Sequence, residues 1–200
     1  EKPFLRLLII TDEPEEAKTF HTADRLKEEC DKLGYPHYLF KLTGGYTTYE
    51  NGIRRFHNKD DKKGFEVGAM TVAIVRGSIT RKDSWMDFVS ILERANATLV
   101  NPRTTINMCA DKYRTALRLA DYGLTQPKTK LINDPEKVND LVKESGIKFP
   151  LIMKTLRGSK GVGVLFVDSE RGLESIVQLI NKQDEDADLL VQEYIKTDYD

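Results

Sequence analysis

The sequence predicts an α/β protein of two consecutive units, the first of them built around a mainly parallel sheet. Apolar runs of strand length alternate with segments whose apolar residues recur every three or four positions, which is the helical period. A strand, a helix and a second strand follow one another over residues 5–42, as in a βαβ unit. Asn101-Pro102 then interrupts the pattern. We therefore expect units at residues 1–100 and 101–200.

The first unit is predicted to be Rossmann-like, because its strands read as continuous apolar runs of the kind that parallel sheets bury on both faces. Asn51-Gly52 between two β-prone segments indicates a hairpin with a type I′ turn. Ser84 or Asp83 is the candidate N-cap of the second helix. The predicted elements are strands at 5–11, 38–42, 70–76 and 98–100, helices at 20–33 and from residue 85, a hairpin over 47–56, and an exposed loop over 57–64.

The second unit is predicted to begin with one helix over residues 106–122, ended by Gly123. Asp134-Pro135-Glu136 has the composition of a helix start, and Gly146 that of a helix end. The remaining predicted elements are strands at 128–132, 151–156, 164–167 and 189–193 and a helix at 169–181.

Composition excludes several classes of protein. Lys and Arg number 31 and Asp and Glu 32, so bulk charge does not favour binding to duplex nucleic acid. The apolar runs are far shorter than the roughly 20 residues of a membrane span. Two cysteines, Cys30 and Cys109, favour a reducing compartment, and we expect a cytoplasmic protein. The histidines have no zinc-ligand spacing, so no metal site is predicted within this chain.

The glycine-rich segment Gly158-Ser159-Lys160-Gly161-Val162-Gly163 lies between two predicted strands. Its spacing is neither that of a Walker A motif nor that of the dinucleotide fingerprint. A glycine hairpin between strands could lay its backbone N–H groups over phosphates, since glycine allows close approach and positive φ. The alternative is a plain hairpin turn, and the spacing alone leaves both open.

Two lysines add to the phosphate hypothesis. Lys154 lies amid apolar residues of the strand before the glycines, where lysine is rarely buried without a partner. Lys112 lies early in a predicted helix. Taken singly, Lys154 could lie on the solvent face of a half-exposed strand and Lys112 on the surface.

The last predicted strand runs into Gln192-Glu193-Tyr194-Ile195. Backbone and side-chain groups at such a strand end could hydrogen-bond the edge of an adenine ring. An ordinary strand end has the same composition, so this alternative also stays open.

Four segments, taken in order, resemble the ATP-grasp fold of RimK-type ligases. They are AIVRGSIT with Arg76, the Asp-Lys helix around Lys112, the lysine strand with its glycine segment, and LLVQEYIK. The resemblance implies a Rossmann-like pre-ATP-grasp domain followed by the first lobe of an ATP-grasp fold. It also implies an ATP-dependent ligase that adds glutamate or another amino acid to an acceptor carboxylate through an acyl phosphate.

The same resemblance implies roles for individual residues. Lys112 and Lys154 would contact the phosphates of ATP, with Lys154 on the α-phosphate side. The glycine-rich segment would form a mobile flap, which consists of Gly158, Ser159, Lys160, Gly161, Val162 and Gly163. Gln192, Glu193, Tyr194 and Ile195 would line the adenine, and Arg76 would bind substrate. Catalytic residues are left unassigned.

The family's Mg²⁺ ligands lie beyond the position that corresponds to Asp200. We therefore expect this chain to be an N-terminal fragment of the enzyme, or a naturally truncated form, that is inactive alone. A nucleotide-binding module without ligase activity is the alternative. A Rossmann-like scaffold for a protein partner, with structural glycines, is a further one. The expected partners are ATP and an acceptor peptide, protein or small amino acid, without membrane or strong nucleic-acid binding; a homo-oligomer is left open.

Overall fold

A computed structural model describes residues 5–12, 22–157, 163–183 and 188–197. The chain divides into two compact units, residues 1–107 and 108–200. The first unit extends past residue 100 because Ile106 packs against its core. The backbone N–H and the guanidinium of Arg103 also donate hydrogen bonds to the carboxylate of Glu93.

The first unit contains a four-stranded parallel sheet and a small antiparallel sheet. The strands are β1 (Arg6–Thr11), β2 (His37–Lys41), β3 (Tyr46–Glu50), β4 (Ile53–His57), β5 (Phe65–Val67), β6 (Thr71–Val75) and β7 (Thr98–Val100), and the helices are α1 (Thr22–Leu33) and α2 (Asp83–Arg94). The parallel sheet has the order β2-β1-β6-β7. Its main core packs this sheet against α2 and the small sheet, so the predicted parallel α/β arrangement is confirmed.

The small sheet has the order β3-β4-β5. Asn51 and Gly52 both have positive φ, 51° and 80°, as a type I′ turn requires, so the predicted hairpin is confirmed. Strand β5 was not predicted, because three residues are too few for a periodic signal. The predicted N-cap of α2 was wrong. Lys82 occupies that position and makes no side-chain capping bond.

The second unit contains a four-stranded antiparallel sheet with helices on one face. Its strands are β8 (Thr129–Ile132), β9 (Leu151–Thr155), β10 (Val164–Val167) and β11 (Leu189–Glu193), and the helices of the junction and of this unit are α3 (Arg103–Cys109), α4 (Lys112–Asp121), α5 (Val138–Ser145) and α6 (Glu170–Gln183). The strand order is β10-β9-β11-β8. Helices α5 and α6 bury the face that carries Leu151, Met153 and Val191.

The single helix predicted over residues 106–122 was wrong. Asp111, with φ −114° and ψ 118°, is extended and separates α3 from α4. Its side chain accepts a hydrogen bond of 2.9 Å from the backbone N–H of Arg114, as an N-cap does. The apolar residues keep their helical spacing across this break, so periodicity alone does not show it. An aspartate side chain that hydrogen-bonds a nearby backbone N–H can interrupt a helix without changing that spacing. Among the residues that the structure describes, no helix combines the length and apolarity needed to cross a membrane.

Candidate functional site

The candidate site lies on the face of the second sheet opposite α5 and α6. Strand residues alternate between the two faces, so the fully buried Met153 points into the core and Lys154 points to the other side. Leu190 on β11 and Val164 on β10 are the cross-strand partners of Lys154. The sequence therefore puts a lysine on the half-covered face of the sheet, beside the end of β9.

Lys154 joins a chain of polar side chains that crosses three strands. Its Nζ donates a hydrogen bond of 2.6 Å to Oε1 of Gln192 on β11. The Nε2 of Gln192 in turn donates to Oγ1 of Thr129 on β8, at 2.9 Å. The hydroxyl of Thr129 donates to the carbonyl of Pro127 at 2.8 Å. This chain orients the ammonium group of Lys154 across the sheet.

The surroundings of Lys154 lower the pKa of its ammonium group. Burial lowers the pKa of the Lys154 ammonium from its usual value, and the positive charge of nearby Lys112 lowers it further. Two cations thus stand close together on a partly desolvated surface. An anionic ligand beside Lys154 would oppose both effects, because a nearby opposite charge favours the charged ammonium group.

Lys112 reaches the same strand end from the first turn of α4. Its Nζ donates to the backbone carbonyl of Thr155 at 2.9 Å, and its backbone N–H donates to the carbonyl of Leu156 at 3.1 Å. The buried N-cap Asp111 fixes the start of this helix. The helix break that periodicity missed is therefore what positions Lys112 beside β9.

The glycine-rich segment connects β9 to β10, and only its last residue lies within the described part of the chain. Gly158, Ser159, Lys160, Gly161 and Val162 lie outside it. Gly163 has φ +77°, and a Cβ on it would come within 2.3 Å of Thr155 Oγ1. Its carbonyl accepts a hydrogen bond of 2.9 Å from the backbone N–H of Thr155. Glycine is thus required here both by conformation and by space.

The strand end at residues 192–195 brings polar and apolar groups together. Oε1 of Glu193 accepts a hydrogen bond of 2.9 Å from the backbone N–H of Lys128. The ring of Tyr194 meets the ring of Phe166 edge-on, with centroids 5.1 Å apart. Phe166, Tyr194 and Ile195 are all exposed. An apolar rim therefore borders the polar chain that ends at Lys154.

Arg76 belongs to the first unit, where it follows β6 as an exposed residue. Its backbone N–H donates to the carbonyl of Ile10 at 2.8 Å. Its predicted role in substrate binding stays a prediction, as do the roles of the other site residues. In the described segments, no group of three or more His, Cys, Asp and Glu side chains is arranged to hold a metal ion.

Sequence reasoning missed Thr129, Phe166 and the capping role of Asp111. Thr129 and Phe166 lie on strands, where their alternation with core residues assigns them to the face of Lys154 once the register is known. Asp111 precedes a helix start and has the residue type of an N-cap, so the signal was present at that position.

Comparison with known proteins shows what this arrangement is similar to. Residues 109–200 match the model of the RimK-like ATP-grasp domain. A solved structure of a RimK domain ATP-grasp protein from Sphaerobacter thermophilus has a TM-score of 0.69 at 19% identity, and the match covers 96% of this chain and 65% of that chain. The predicted fold class, a Rossmann-like domain followed by the first lobe of an ATP-grasp fold, is therefore confirmed.

Two curated relatives are probable alpha-L-glutamate ligases. The one from Saccharophagus degradans is 38% identical over 97 residues, which are 48% of this chain and 31% of the relative. The one from Photobacterium profundum is 28% identical over 185 residues, which are 90% of this chain and 57% of the relative. The chain thus spans between about a third and just over half of the length of these relatives.

Proposed function

We propose that this chain, whose residues 109–200 match the model of the RimK-like ATP-grasp domain, is the nucleotide-binding part of an ATP-dependent carboxylate–amine ligase. The observation that carries the proposal is the convergence of Lys154 and Lys112 at one strand end, next to the glycine-rich connection. The names of the two glutamate ligases among its relatives support the same reaction class.

The phosphates of ATP would lie between these two lysines and the glycine-rich segment. Lys154 is held by Gln192, and Lys112 by the end of β9, so both ammonium groups are oriented before a ligand arrives. Preorganised cations neutralise phosphate charge without reorganisation at the moment of reaction. Burial and the nearby charge of Lys112 disfavour the charged form of Lys154, and a bound phosphate would favour it, so the arrangement suits phosphate binding.

The adenine ring would lie along the strand end at residues 192–195. Phe166, Tyr194 and Ile195 offer exposed apolar surface there. The side chains of Gln192 and Glu193 are engaged with Thr129, Lys154 and Lys128. We therefore assign adenine contact to the backbone of these two residues and to the side chains of Tyr194 and Ile195.

In the proposed reaction, a carboxylate oxygen attacks the γ-phosphorus of ATP, and the bond to the β-γ bridging oxygen breaks to release ADP. An amine then attacks the acyl phosphate, loses a proton and expels phosphate, which leaves an amide. Catalysis of this kind rests on positioning and charge neutralisation. Magnesium would add charge neutralisation at the phosphates. The acceptor would be a peptide, a protein or a small amino acid, and the reaction is expected in the cytoplasm.

The ligase step is tested in the full-length gene product by trapping the activated carboxylate. With ATP, Mg²⁺ and a carboxylate substrate, hydroxylamine should capture the acyl phosphate as a hydroxamate. Lys154→Ala should abolish both the hydroxamate and the release of ADP. Lys148→Ala, an exposed lysine of the same unit, is the matched control and should leave both unchanged. Undiminished turnover in Lys154→Ala would contradict the site assignment.

A further inference from the structure

The first unit contains a cavity that the nucleotide site does not use. It has a volume of about 920 Å³ and lies on the small sheet β3-β4-β5. We call it the small-sheet pocket; its residues come from β3, β4 and β5, the loop 58–64, and Arg6 and Tyr38 at the side. Pockets for small ligands have roughly 300–1,000 Å³, so this one has room for more than one amino acid.

The floor of the pocket is the face of the small sheet that is turned away from the main core. Tyr46 pairs with His57, and Thr48 pairs with Arg55 across β3 and β4. The Tyr46 and His57 rings stack at 4.7 Å and 6°. On the other face, Phe56 belongs to the main core. The floor thus combines a flat aromatic surface with polar side chains.

His57 is buried within this surface, and both nitrogens of its ring have hydrogen-bond partners. Its Nδ1 lies 2.9 Å from the carbonyl oxygen of Asp61, which can only accept, so Nδ1 carries the proton. In the neutral ring, Nε2 then accepts from the hydroxyl of Thr48, at 2.9 Å. A Cβ on Gly64, which has φ +64°, would lie 2.4 Å from the imidazole ring. The loop therefore packs directly on His57.

The loop wall is tied to the parallel sheet. Asp61 accepts a hydrogen bond of 2.6 Å from the Tyr38 hydroxyl and two more from the backbone N–H groups of Lys63 and Gly64. Asn58 donates to the carbonyl of Leu39. A wall held this way loses little conformational freedom when a ligand binds, and such preorganisation favours binding.

The charges of the pocket decide what it would bind. Arg55 forms an ion pair with Glu66 at 3.1 Å. The Asp61 carboxylate accepts hydrogen bonds from the Tyr38 hydroxyl and from the loop backbone. Four further charged residues line the pocket and form no ion pair with any other residue in the described ranges. They are Arg6, Lys62, Lys63 and Glu50. The guanidinium of Arg6 lies over the Phe65 ring, 5.3 Å from its centroid. Lys62 and Lys63 outnumber Glu50, so the pocket favours a ligand with net negative charge.

The edge of the small sheet adds a peptide-binding element. Within the sheet that the described residues form, β3 lies at one edge, and it borders the pocket through Tyr46, Thr48 and Glu50. An edge strand offers backbone N–H and C=O groups to an extended chain, which is a recurring mode of peptide recognition. A peptide with carboxylate side chains would match both the edge and the cations of the pocket.

We propose that the small-sheet pocket binds an acidic peptide segment, which is the acceptor of the ligase. Only the identification of the segment as the acceptor rests on the proposed function; the binding site itself does not. Carboxylate side chains would meet Arg6, Lys62 and Lys63, and the backbone would run along β3.

The test is fluorescence anisotropy of a labelled oligoglutamate peptide with the full chain, without nucleotide. Saturable binding is expected, weakened about tenfold when Lys62→Glu and Lys63→Glu are combined, because two attractions become repulsions at exposed positions. Lys59→Glu makes the same kind of change in the same loop, outside the pocket lining, and should leave affinity within about twofold. Circular dichroism should confirm that all variants are folded.

Several results would overturn the inference: no saturable binding, equal binding of oligoglutamine, or equal effects of the pocket and control variants. Repeating the measurement with Lys154→Ala separates it from the nucleotide proposal. Peptide binding should be unchanged in that variant, while any effect of ATP on melting is lost. If the peptide does not bind but ATP does, this inference alone fails.

Discussion

Lys154 Nζ and Gln192 Oε1 lie 2.6 Å apart and join the two inner strands of the second unit's sheet. The bond holds a partly desolvated ammonium group that also faces a second cation, Lys112. A neutral amide orients the ammonium group without neutralising it. The charge of Lys154 therefore stays available to an anionic ligand.

Replacing that amide by a carboxylate tests this relationship. Gln192→Glu should raise the pKa of Lys154 and form an ion pair with it, so that less of its charge is available to phosphates. We expect ATP affinity to fall by about tenfold or more, since a further negative charge also repels the ligand. Isothermal titration with Mg·ATP measures the change. Gln192→Met should weaken binding less, and an equal or tighter affinity in Gln192→Glu would contradict this interpretation.

Asp111 is expected to act on the site through the start of α4. Asp111→Ala removes the acceptor for the Arg114 N–H and should cost about 0.5–2 kcal/mol of unfolding free energy. Because Lys112 is the next residue, ATP binding should weaken too. Asp111→Asn keeps a capping oxygen and should preserve most of both properties. Urea unfolding and ATP titration of the two variants check this. Equal behaviour of the alanine and asparagine variants would exclude the capping role.

The part of the fold that rests on periodicity and turn chemistry could be predicted from sequence. Gly123 and Gly146 have positive φ at or after the ends of their helices, and the segment Thr98–Val100 is a strand as expected. Single-residue effects inside a periodic segment were missed, as Asp111 shows. In the site, residue types at Lys154 and Lys112 indicated phosphate chemistry. Thr129 and Phe166 could not be assigned, because their place depends on strand register.

Gly163 is expected to tolerate no side chain. In Gly163→Ala, the Cβ meets Thr155 Oγ1 and the residue keeps a φ of +77°, so we expect a loss of about 1–3 kcal/mol. Gly123→Ala is the matched control, since Gly123 has φ +70° but nothing within 4 Å of its Cβ position. It should cost about 1 kcal/mol. Thermal denaturation measures both variants. Adding Thr155→Ala should recover part of the loss in Gly163→Ala only.

Tyr38 is expected to lose its hydroxyl proton at a higher pH than an ordinary tyrosine. Burial, followed by the hydrogen bond to Asp61, raises the pKa of the Tyr38 hydroxyl to about 12 from 10.0. A raised folded-state pKa means that its stabilising contribution is complete below about pH 10 and is lost as the pH rises through about 12. Tyr38→Phe should therefore be destabilised at neutral pH by about 1–3 kcal/mol, because it loses the bond donated to Asp61 and the one accepted from the backbone N–H of Asn58.

The difference in unfolding free energy between wild type and Tyr38→Phe should shrink as the pH approaches 12. Urea titrations at several alkaline pH values give this difference. The tyrosinate absorbance that the mutation removes should appear only near the upper end of the range. A difference independent of pH, or absorbance appearing at the ordinary pKa of 10.0, would contradict the assignment.

The account rests on nucleotide binding by the second unit, which thermal melting of the 200-residue chain tests most directly. With Mg·ATP at ten times Kd, stabilisation by RT ln 11, about 1.4 kcal/mol, should raise Tm by roughly 3–6 °C. We predict this shift with ATP, a smaller one with GTP, none in Lys154→Ala, and a full shift in Lys148→Ala. A shift that Lys154→Ala retains, or equal shifts with both nucleotides, would contradict the account.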